Sequence, residues 1–130
     1  MRYLLDTNIV IAFQKQNANL LNKMYRYPID SFAISSIVHF ELVFGACNSQ
    51  QMEKNFKKIK ELPFEILDFN QNDGFYAGQI RSDLKAKGTP IGAYDTLIAG
   101  QTLANDLILI TDNIKEFERV DGLKFENWLR

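Results

Sequence analysis

Two short apolar segments of the sequence each lead into an acidic residue. One runs up to Asp6 and the other up to Thr111 and Asp112. If both segments are central strands of a parallel sheet, the two carboxylates emerge at the same edge, where ligands bind in open α/β sheets. An aspartate in this position can also cap the next helix, but the repetition of the pattern favours a functional role.

Two further acids stand in apolar surroundings on predicted helices. Glu41 lies beside an apolar stripe at helical spacing that is predicted to face the core. The stripe consists of Ile37, Phe40, Phe44 and Cys47. Asp95 lies in the first turn of a mostly uncharged helix, where the helix dipole would stabilise it. A carboxylate is costly in apolar surroundings unless it is paired or binds a metal, so both acids are candidate ligands.

Four carboxylates from four segments could therefore converge in one pocket. Like charges at close range repel, and some of the carboxyls would stay protonated unless a cation joined them. Oxygen ligands without histidine or cysteine suit Mg²⁺ or Mn²⁺. Such a cation activates water and stabilises charge on a phosphate, so the pattern suggests metal-dependent phosphodiester hydrolysis.

Length and composition exclude several other classes of protein. The chain has 130 residues, 46% of them apolar, and a net charge of −1, which fits one globular domain and not a strongly basic nucleic-acid binder. One cysteine and one histidine exclude a disulfide framework and a zinc site, and make a Ser-His-Asp triad implausible. No apolar run is long enough to span a membrane. We expect a cytoplasmic protein.

Strands and helices alternate along the chain. The predicted strands cover residues 2–5, 32–35, 64–67 and 107–110, with an edge strand or turn within 123–128. The predicted helices cover residues 7–14, 19–27, 37–47, 50–62, 72–87 and 93–105. Ser36 is the expected cap of the third helix, and Trp128 is expected in the core. The alternation predicts a mostly parallel α/β sandwich.

Taken together and in order, four segments resemble the motifs of PIN-domain nucleases, and of VapC toxins in particular. They are LLDTN at 4–8, SS at 35–36 with FELVFGA at 40–46, GTPIGAYDTLIA at 88–99, and TDN at 111–113 with EFERV at 116–120. The resemblance extends through Trp128 and implies a single PIN domain over residues 1–130. Its fold would be a three-layer α/β/α sandwich with a mostly parallel central sheet.

The resemblance also implies roles for individual residues. Asp6, Glu41 and Asp95 match the core acids of the family, and Asp112 matches the fourth position, so all four are expected to be catalytic metal ligands. The hydroxyl of Thr111 is expected to orient the water at the metal. Asn8 and Asn113 are expected donors beside the ligands, or else turn residues.

Four residues are candidate RNA contacts. Arg81 and Lys85 lead toward the Asp95 motif and could hold phosphates, although a solvated helix face explains them as well. Tyr94 could stack on an unpaired base, or pack in the core. Asn8 completes the set. The lysines at 54, 57, 58 and 60 most simply form a solvated helix face.

The expected function is that of a Mg²⁺-dependent endoribonuclease, with Mn²⁺ as the alternative cation. By resemblance it is the toxin of a bacterial VapBC toxin–antitoxin pair that cuts tRNA. It would bind a VapB-type antitoxin that places Arg or Lys in the acidic cleft, and form a homodimer and a toxin–antitoxin hetero-oligomer. Two alternatives remain: a catalytically inactive PIN-like module that binds RNA or a partner, and a small metal-dependent phosphatase. Asp-x-Asp phosphatases need an aspartate where this chain has Asn8.

Overall fold

The computed structural model describes residues 1–130 and is built around a five-stranded sheet. The strands are β1 (Tyr3–Leu5), β2 (Phe32–Ser35), β3 (Glu65–Leu67), β4 (Ile108–Ile110) and β5 (Phe125–Glu126). Their order is β3-β2-β1-β4-β5, and every neighbouring pair is parallel. The predicted parallel α/β architecture is therefore confirmed. The central strand is β1, which pairs with β2 on one side and with β4 on the other.

Helices connect the strands in every crossover. They are α1 (Thr7–Gln14), α2 (Ala18–Met24), α3 (Ser36–Cys47), α4 (Met52–Lys60), α5 (Gln71–Ala86), α6 (Ala93–Ala104) and α7 (Ile114–Phe117), with a 3₁₀ turn at Ile29–Ser31. Right-handed crossovers place α1–α4 on one face of the sheet and α5–α7 on the other. None of these helices is both long and apolar enough to cross a membrane.

Helices α5 and α6 pack closely because a glycine stands at their contact. A Cβ atom built on Gly100 would lie 2.5 Å from the backbone nitrogen of Ala77. Any larger residue would push the helices apart. This close packing holds the first turn of α6, which carries Asp95, in place relative to the sheet.

The predicted elements agree with the structure to within a few residues, with small corrections at their ends. Ser35, and not Ser36, caps α3, since its Oγ accepts the N–H of Ile37 at 3.0 Å. The hydroxyl of Ser36 instead accepts the N–H of Phe69 at 2.9 Å, which ties α3 to the segment after β3. The 3₁₀ turn and the short helix α7 were not predicted, because four residues or fewer show no periodicity.

An aromatic cluster closes the edge of the sheet at which the strands begin. The ring centroid of Trp128 lies 4.8 Å from that of Tyr3 and 5.8 Å from that of Tyr27, with Phe32 6.0 Å away. Trp128 is buried, in agreement with its predicted place in the core. Such edge-to-face and stacked pairs stabilise a core beyond the area that they bury.

Three of the four residues in the predicted apolar stripe of α3, namely Phe40, Phe44 and Cys47, are exposed, so the prediction that the stripe faces the core is wrong; only Ile37 packs against the core. The helix buries Val38, Leu42 and Ala46, while Phe40 is 47% and Phe44 60% exposed. Apolar residues occur on all sides of α3: Val38, Leu42 and Ala46 recur every four residues, and the predicted stripe recurs every three or four, so both sets have helical spacing. Periodicity within the helix therefore could not identify the buried face, which packing against the sheet decides.

Candidate active site

Asp6 lies where β1 ends and α1 begins, and both of its carboxylate oxygens accept a hydrogen bond. Oδ1 accepts the N–H of Thr7 at 2.9 Å, and Oδ2 accepts the hydroxyl of Thr111 at 2.7 Å. The second bond follows from the sheet, because Leu5 and Ile110 are partners in the parallel β1–β4 pair. Burial raises the pKa of Asp6, and the bonds from Thr111 and Thr7 partly offset this shift.

Glu41 reaches the same edge of the sheet from the second turn of α3. The hydroxyl of Thr7 donates to its Oε1 at 3.0 Å, which links α3 to the start of α1. Partial burial raises the pKa of Glu41; the bond from Thr7 opposes this shift, and the charge of Asp6 adds to it. Thr7 thus contacts both acids, through its N–H and its hydroxyl. The sequence analysis assigned it only to the start of a helix.

Asp95 and Glu116 are joined by one asparagine. The Nδ2 of Asn113 donates to Asp95 Oδ2 at 3.1 Å and to Glu116 Oε2 at 2.9 Å. Gly92 lies against the same pair, since a Cβ on it would stand 3.5 Å from Asp95 Oδ2. The first turns of α6 and α7 therefore bring two carboxyl groups together at the carboxyl ends of the strands.

The pKa values of these two carboxyl groups are shifted in opposite directions. Burial raises the pKa of Asp95 to about 8, helped by its hydrogen bond to Glu116 and by the charges of Asp6, Glu116 and Glu41. The pKa of Glu116 is lowered, first by the hydrogen bond from Asp95. The more buried carboxyl, Asp95, therefore holds its proton to higher pH than the more exposed Glu116.

The chemistry of this carboxyl cluster fits a hard divalent cation. Its members are Asp6, Glu41, Asp95 and Glu116, and all of their donor atoms are oxygens, which Mg²⁺ and Mn²⁺ prefer. Burial is the main cause of the raised pKa of Asp95; the charges of the other three acids add to it, and a bound cation would offset their repulsion. No three His, Cys, Asp or Glu side chains stand close enough in the structure to enclose one metal ion. The fit therefore rests on donor type and charge.

Residues 3–123 match a family model described as the PIN domain. The chain belongs to the PIN-domain family. It is 35% identical over 130 residues to the tRNA(fMet)-specific endonuclease VapC of Salmonella typhimurium, with 98% of each chain covered. It is 41% identical over 132 residues to ribonuclease VapC2 of Rickettsia felis, again with 98% of each covered. The expected resemblance to VapC proteins is confirmed.

Solved structures show the same architecture as this PIN domain. The VapBC2 complex of Rickettsia felis, bound to a promoter DNA fragment, superposes with a TM-score of 0.90 at 38% identity and covers 98% of this chain and 99% of that one. DNA-bound VapBC from Salmonella typhimurium gives a TM-score of 0.92 at 35% identity, with 98% of each covered. The predicted PIN fold is confirmed, and PIN-domain ribonucleases in general depend on divalent metals.

In this PIN domain, Asp112 lies apart from the carboxyl cluster. Its Oδ1 accepts Nδ2 of Asn127 at 2.8 Å and stands 4.0 Å from the guanidinium of Arg130, and its side chain is exposed. Its backbone N–H donates to Asn8 Oδ1 at 3.2 Å. The structure brings Asp6, Glu41 and Asp95 to one edge but turns Asp112 toward the C-terminal tail.

Glu116 occupies the place in the carboxyl cluster that was expected for Asp112. The sequence pattern did not identify Glu116 as a candidate ligand. One signal was available: Glu116 follows Asn113 by three residues, the spacing at which both side chains meet on one helical turn. This spacing has meaning only within a helix, and the four residues of α7 are too few to show helical periodicity.

The expected RNA contacts lie in two places. Arg81 and Lys85 line a cleft of about 940 Å³ between α5, the loop before α6 and the first residues of α6, including Ala93. Tyr94 follows at once and is 47% exposed, with its ring centroid 5.4 Å from that of Phe40. Asn8 lies elsewhere, against the backbone of Asp112.

Proposed function

We propose that this PIN domain is a metal-dependent endoribonuclease that hydrolyses phosphodiester bonds in RNA and acts as the toxin of a VapBC toxin–antitoxin pair. The observation that carries the proposal is the gathering of Asp6, Glu41 and Asp95 at the carboxyl edge of the sheet. Relatives that are 35% and 41% identical along nearly their whole length are named as an endonuclease and a ribonuclease. Residues 1–130 act as one domain in the bacterial cytoplasm.

The cation in this proposal is Mg²⁺, with Mn²⁺ as a substitute. The proposed ligands are Asp6, Glu41, Asp95 and Glu116, which would have to come closer together than they stand here to hold it; bound there, it would supply water activation and charge stabilisation on the phosphate. The predicted role of Asp112 as a ligand stays a prediction, although its contacts with the tail favour Glu116. Because the pKa of Asp95 is raised to about 8, this carboxyl must lose its proton before it can act as a ligand beside Glu116.

Neutral donors orient the proposed ligands. The hydroxyl of Thr111 donates to Oδ2 of Asp6, and the hydroxyl of Thr7 donates to Oε1 of Glu41. The Nδ2 of Asn113 donates to both Asp95 and Glu116. Donors of this kind restrict the rotamers of acidic ligands and commonly affect metal affinity by about 10- to 100-fold. The hydroxyl of Thr111 is thereby committed to Asp6 and also accepts the N–H of Asn113. The predicted contact of Thr111 with the attacking water would require its hydroxyl to form a third hydrogen bond.

The substrate class in this proposal is tRNA. Relatives from Salmonella typhimurium and Shigella flexneri, each 35% identical to this chain, carry the name tRNA(fMet)-specific endonuclease. Arg81 and Lys85 in the cleft beside α6 supply positive charge for the phosphates of such a substrate. Nothing in these contacts reads a base sequence.

A VapB-type antitoxin is the proposed partner. A groove of about 270 Å³ runs between α1, α3 and α4, lined by Ile11, Leu42 and Ile59, and it opens at one end on Thr7 and Glu41. An amphipathic antitoxin segment in this groove would direct an arginine to the carboxyl cluster, because a guanidinium pairs with carboxylates in a bidentate manner. The toxin is expected to form a homodimer within the hetero-oligomer.

The enzymatic proposal is tested by incubating the purified protein with total RNA and Mg²⁺, with and without EDTA, beside an Asp6→Asn variant. We expect cleavage that EDTA abolishes and that the variant lacks. RNA that is bound but left intact by the wild type would indicate the inactive module. Release of phosphate from p-nitrophenyl phosphate without RNA cleavage would indicate the phosphatase.

The partner is tested by co-expression with the product of the adjacent gene. We expect the two proteins to co-purify and the complex to spare RNA. A product that neither binds this chain nor protects RNA, or that binds away from the carboxyl cluster, contradicts the inhibition model.

A further inference from the structure

Two aromatic side chains from different layers of the fold meet at the surface. Phe40 on α3 and Tyr94 on α6 have ring centroids 5.4 Å apart and planes inclined by 59°. Each is 47% exposed, and Phe44, one helical turn beyond Phe40, is 60% exposed. We call Phe40 and Tyr94 the aromatic platform. Adjacent exposed apolar rings are typical of an interaction surface.

Each residue of the aromatic platform is adjacent in sequence to a member of the carboxyl cluster. Phe40 precedes Glu41 and Tyr94 precedes Asp95, so the Cα atom of each aromatic residue lies about 3.8 Å from the Cα atom of a proposed ligand. A phosphate held at the cluster would therefore have its neighbouring nucleotides within reach of the two rings.

We propose that an unpaired base next to the scissile phosphate stacks on the aromatic platform of Phe40 and Tyr94. This inference rests on the proposed function, since it requires RNA at the carboxyl cluster. Stacking uses the π-face that every base has, so the platform would select unpaired nucleotides over paired ones without reading their sequence. It would thus direct cleavage to loops and single strands.

Charge around the platform favours RNA over a second copy of the chain. Arg81 and Lys85 line the cleft that ends at Ala93, immediately before Tyr94, and can hold the phosphates that flank a stacked base. A second copy packed on the platform would enclose Glu41 and Asp95 in a low-dielectric interface, where carboxylates are costly.

The experiment combines protein variants with abasic RNA. All proteins carry Asp6→Asn so that the RNA stays intact, which a gel verifies. Binding of a fluorescein-labelled short single-stranded RNA is measured by anisotropy, with one abasic nucleotide moved along the strand and with the matching duplex as a further probe. We expect one or two abasic positions to weaken binding about tenfold, and the duplex to bind more weakly than the single strand.

The decisive comparison adds Phe40→Ala. We expect this variant to bind intact RNA about tenfold more weakly and to lose its sensitivity to the critical abasic position. Tyr94→Phe keeps a ring and should retain that sensitivity. Phe75→Ala is the control, because Phe75 is also an exposed phenylalanine (65%) but lies on α5 and not on α3 or α6. It should bind like the parent.

Two outcomes overturn the proposal. One is equal sensitivity to abasic positions in the parent and in Phe40→Ala. The other is a dimer, seen by sedimentation, that Phe40→Ala dissociates while RNA binding stays the same, which would assign the platform to a second copy. Failure of the proposed function shows separately, as wild-type protein that does not cleave RNA with Mg²⁺ or as Asp6→Asn protein that still does.

Discussion

The two edges of the parallel sheet are built from the same strands but have opposite character. At the starting edge, Tyr3 and Phe32 pack with Trp128 in a closed aromatic cluster. At the carboxyl edge, β1 is followed by Asp6 and β4 by Thr111, and carboxyl groups gather in place of rings. Only two residues lie between Tyr3 and Asp6, so the single short strand β1 connects the two edges.

The difference shows that stability and the candidate chemistry are divided between the edges. Aromatic packing at the starting edge favours the folded state. At the carboxyl edge, burial raises the pKa values of Asp6, Glu41 and Asp95, which means that their charged forms oppose folding when no cation is bound. Substitutions at the two edges should therefore affect stability in opposite directions.

The largest effect is expected for Asp6→Asn, which breaks the carboxyl edge. Loss of one ligand charge should reduce the RNA cleavage rate roughly a thousandfold or more. The melting temperature in EDTA should not fall, since the variant removes a buried charge. Cleavage rates with excess Mg²⁺ and thermal melts test both parts. A variant that cleaves like the wild type would remove Asp6 from the site.

Trp128→Ala should have the largest effect on stability, because it empties the aromatic cluster at the starting edge. We expect the free energy of unfolding to fall by about 3–5 kcal/mol, measured by urea denaturation. Trp128→Phe, which keeps a ring, should lose less. Cleavage per folded molecule should persist in Trp128→Phe; its loss without a loss of stability would contradict the division between the edges.

Two substitutions test whether Glu116 or Asp112 belongs to the site at the carboxyl edge. Glu116→Gln should lower cleavage about 10- to 100-fold, because Glu116 faces Asp95. Asp112→Asn should lower it only about twofold, since Asp112 contacts Asn127 and the tail. Titration of each variant with Mn²⁺ should show weaker binding only for the first. A larger loss of cleavage and of Mn²⁺ binding in Asp112→Asn than in Glu116→Gln would identify Asp112, and not Glu116, as the metal ligand.

The smallest effect concerns pH. Asp95 keeps its proton up to about pH 8 in the folded protein but only to about pH 3.9 when unfolded, so the folded state binds more protons between these values. Stability in EDTA should therefore fall as pH rises through this window, by about 1–2 kcal/mol after allowance for solvent screening. Melts in EDTA should show this slope.

Asp95→Asn provides the control for the pH prediction. Without the titrating carboxyl, the slope of the EDTA melts between about pH 5 and 8 should be smaller. Saturating Mg²⁺ should also reduce the slope in the wild type, because the cation favours the ionised carboxylates. A slope that Asp95→Asn leaves unchanged would show that other groups cause it.

Local features of the sequence were sufficient for much of this structure. The bounds of β2 and α1 were predicted to the residue, because capping residues and apolar runs are properties of a few neighbouring positions. The alternation of strands and helices predicted the parallel sheet. That sheet in turn placed Asp6 at its carboxyl edge, and the motifs around Glu41 and Asp95 indicated the PIN family.

Only the tertiary structure decided which side chains meet. The partners Thr111 and Asp6 are 105 positions apart, and Thr7 and Glu41 are 34 apart, so no local pattern contains these contacts. Packing on the sheet turned Phe40 outward, and the short helix α7 brought Glu116 to Asp95 while Asp112 turned to the tail. Spacing along the chain determines which residues share one face of a helix or strand. Whether that face is buried, and which charges it meets, depends on the residues packed against it, and these are distant in sequence.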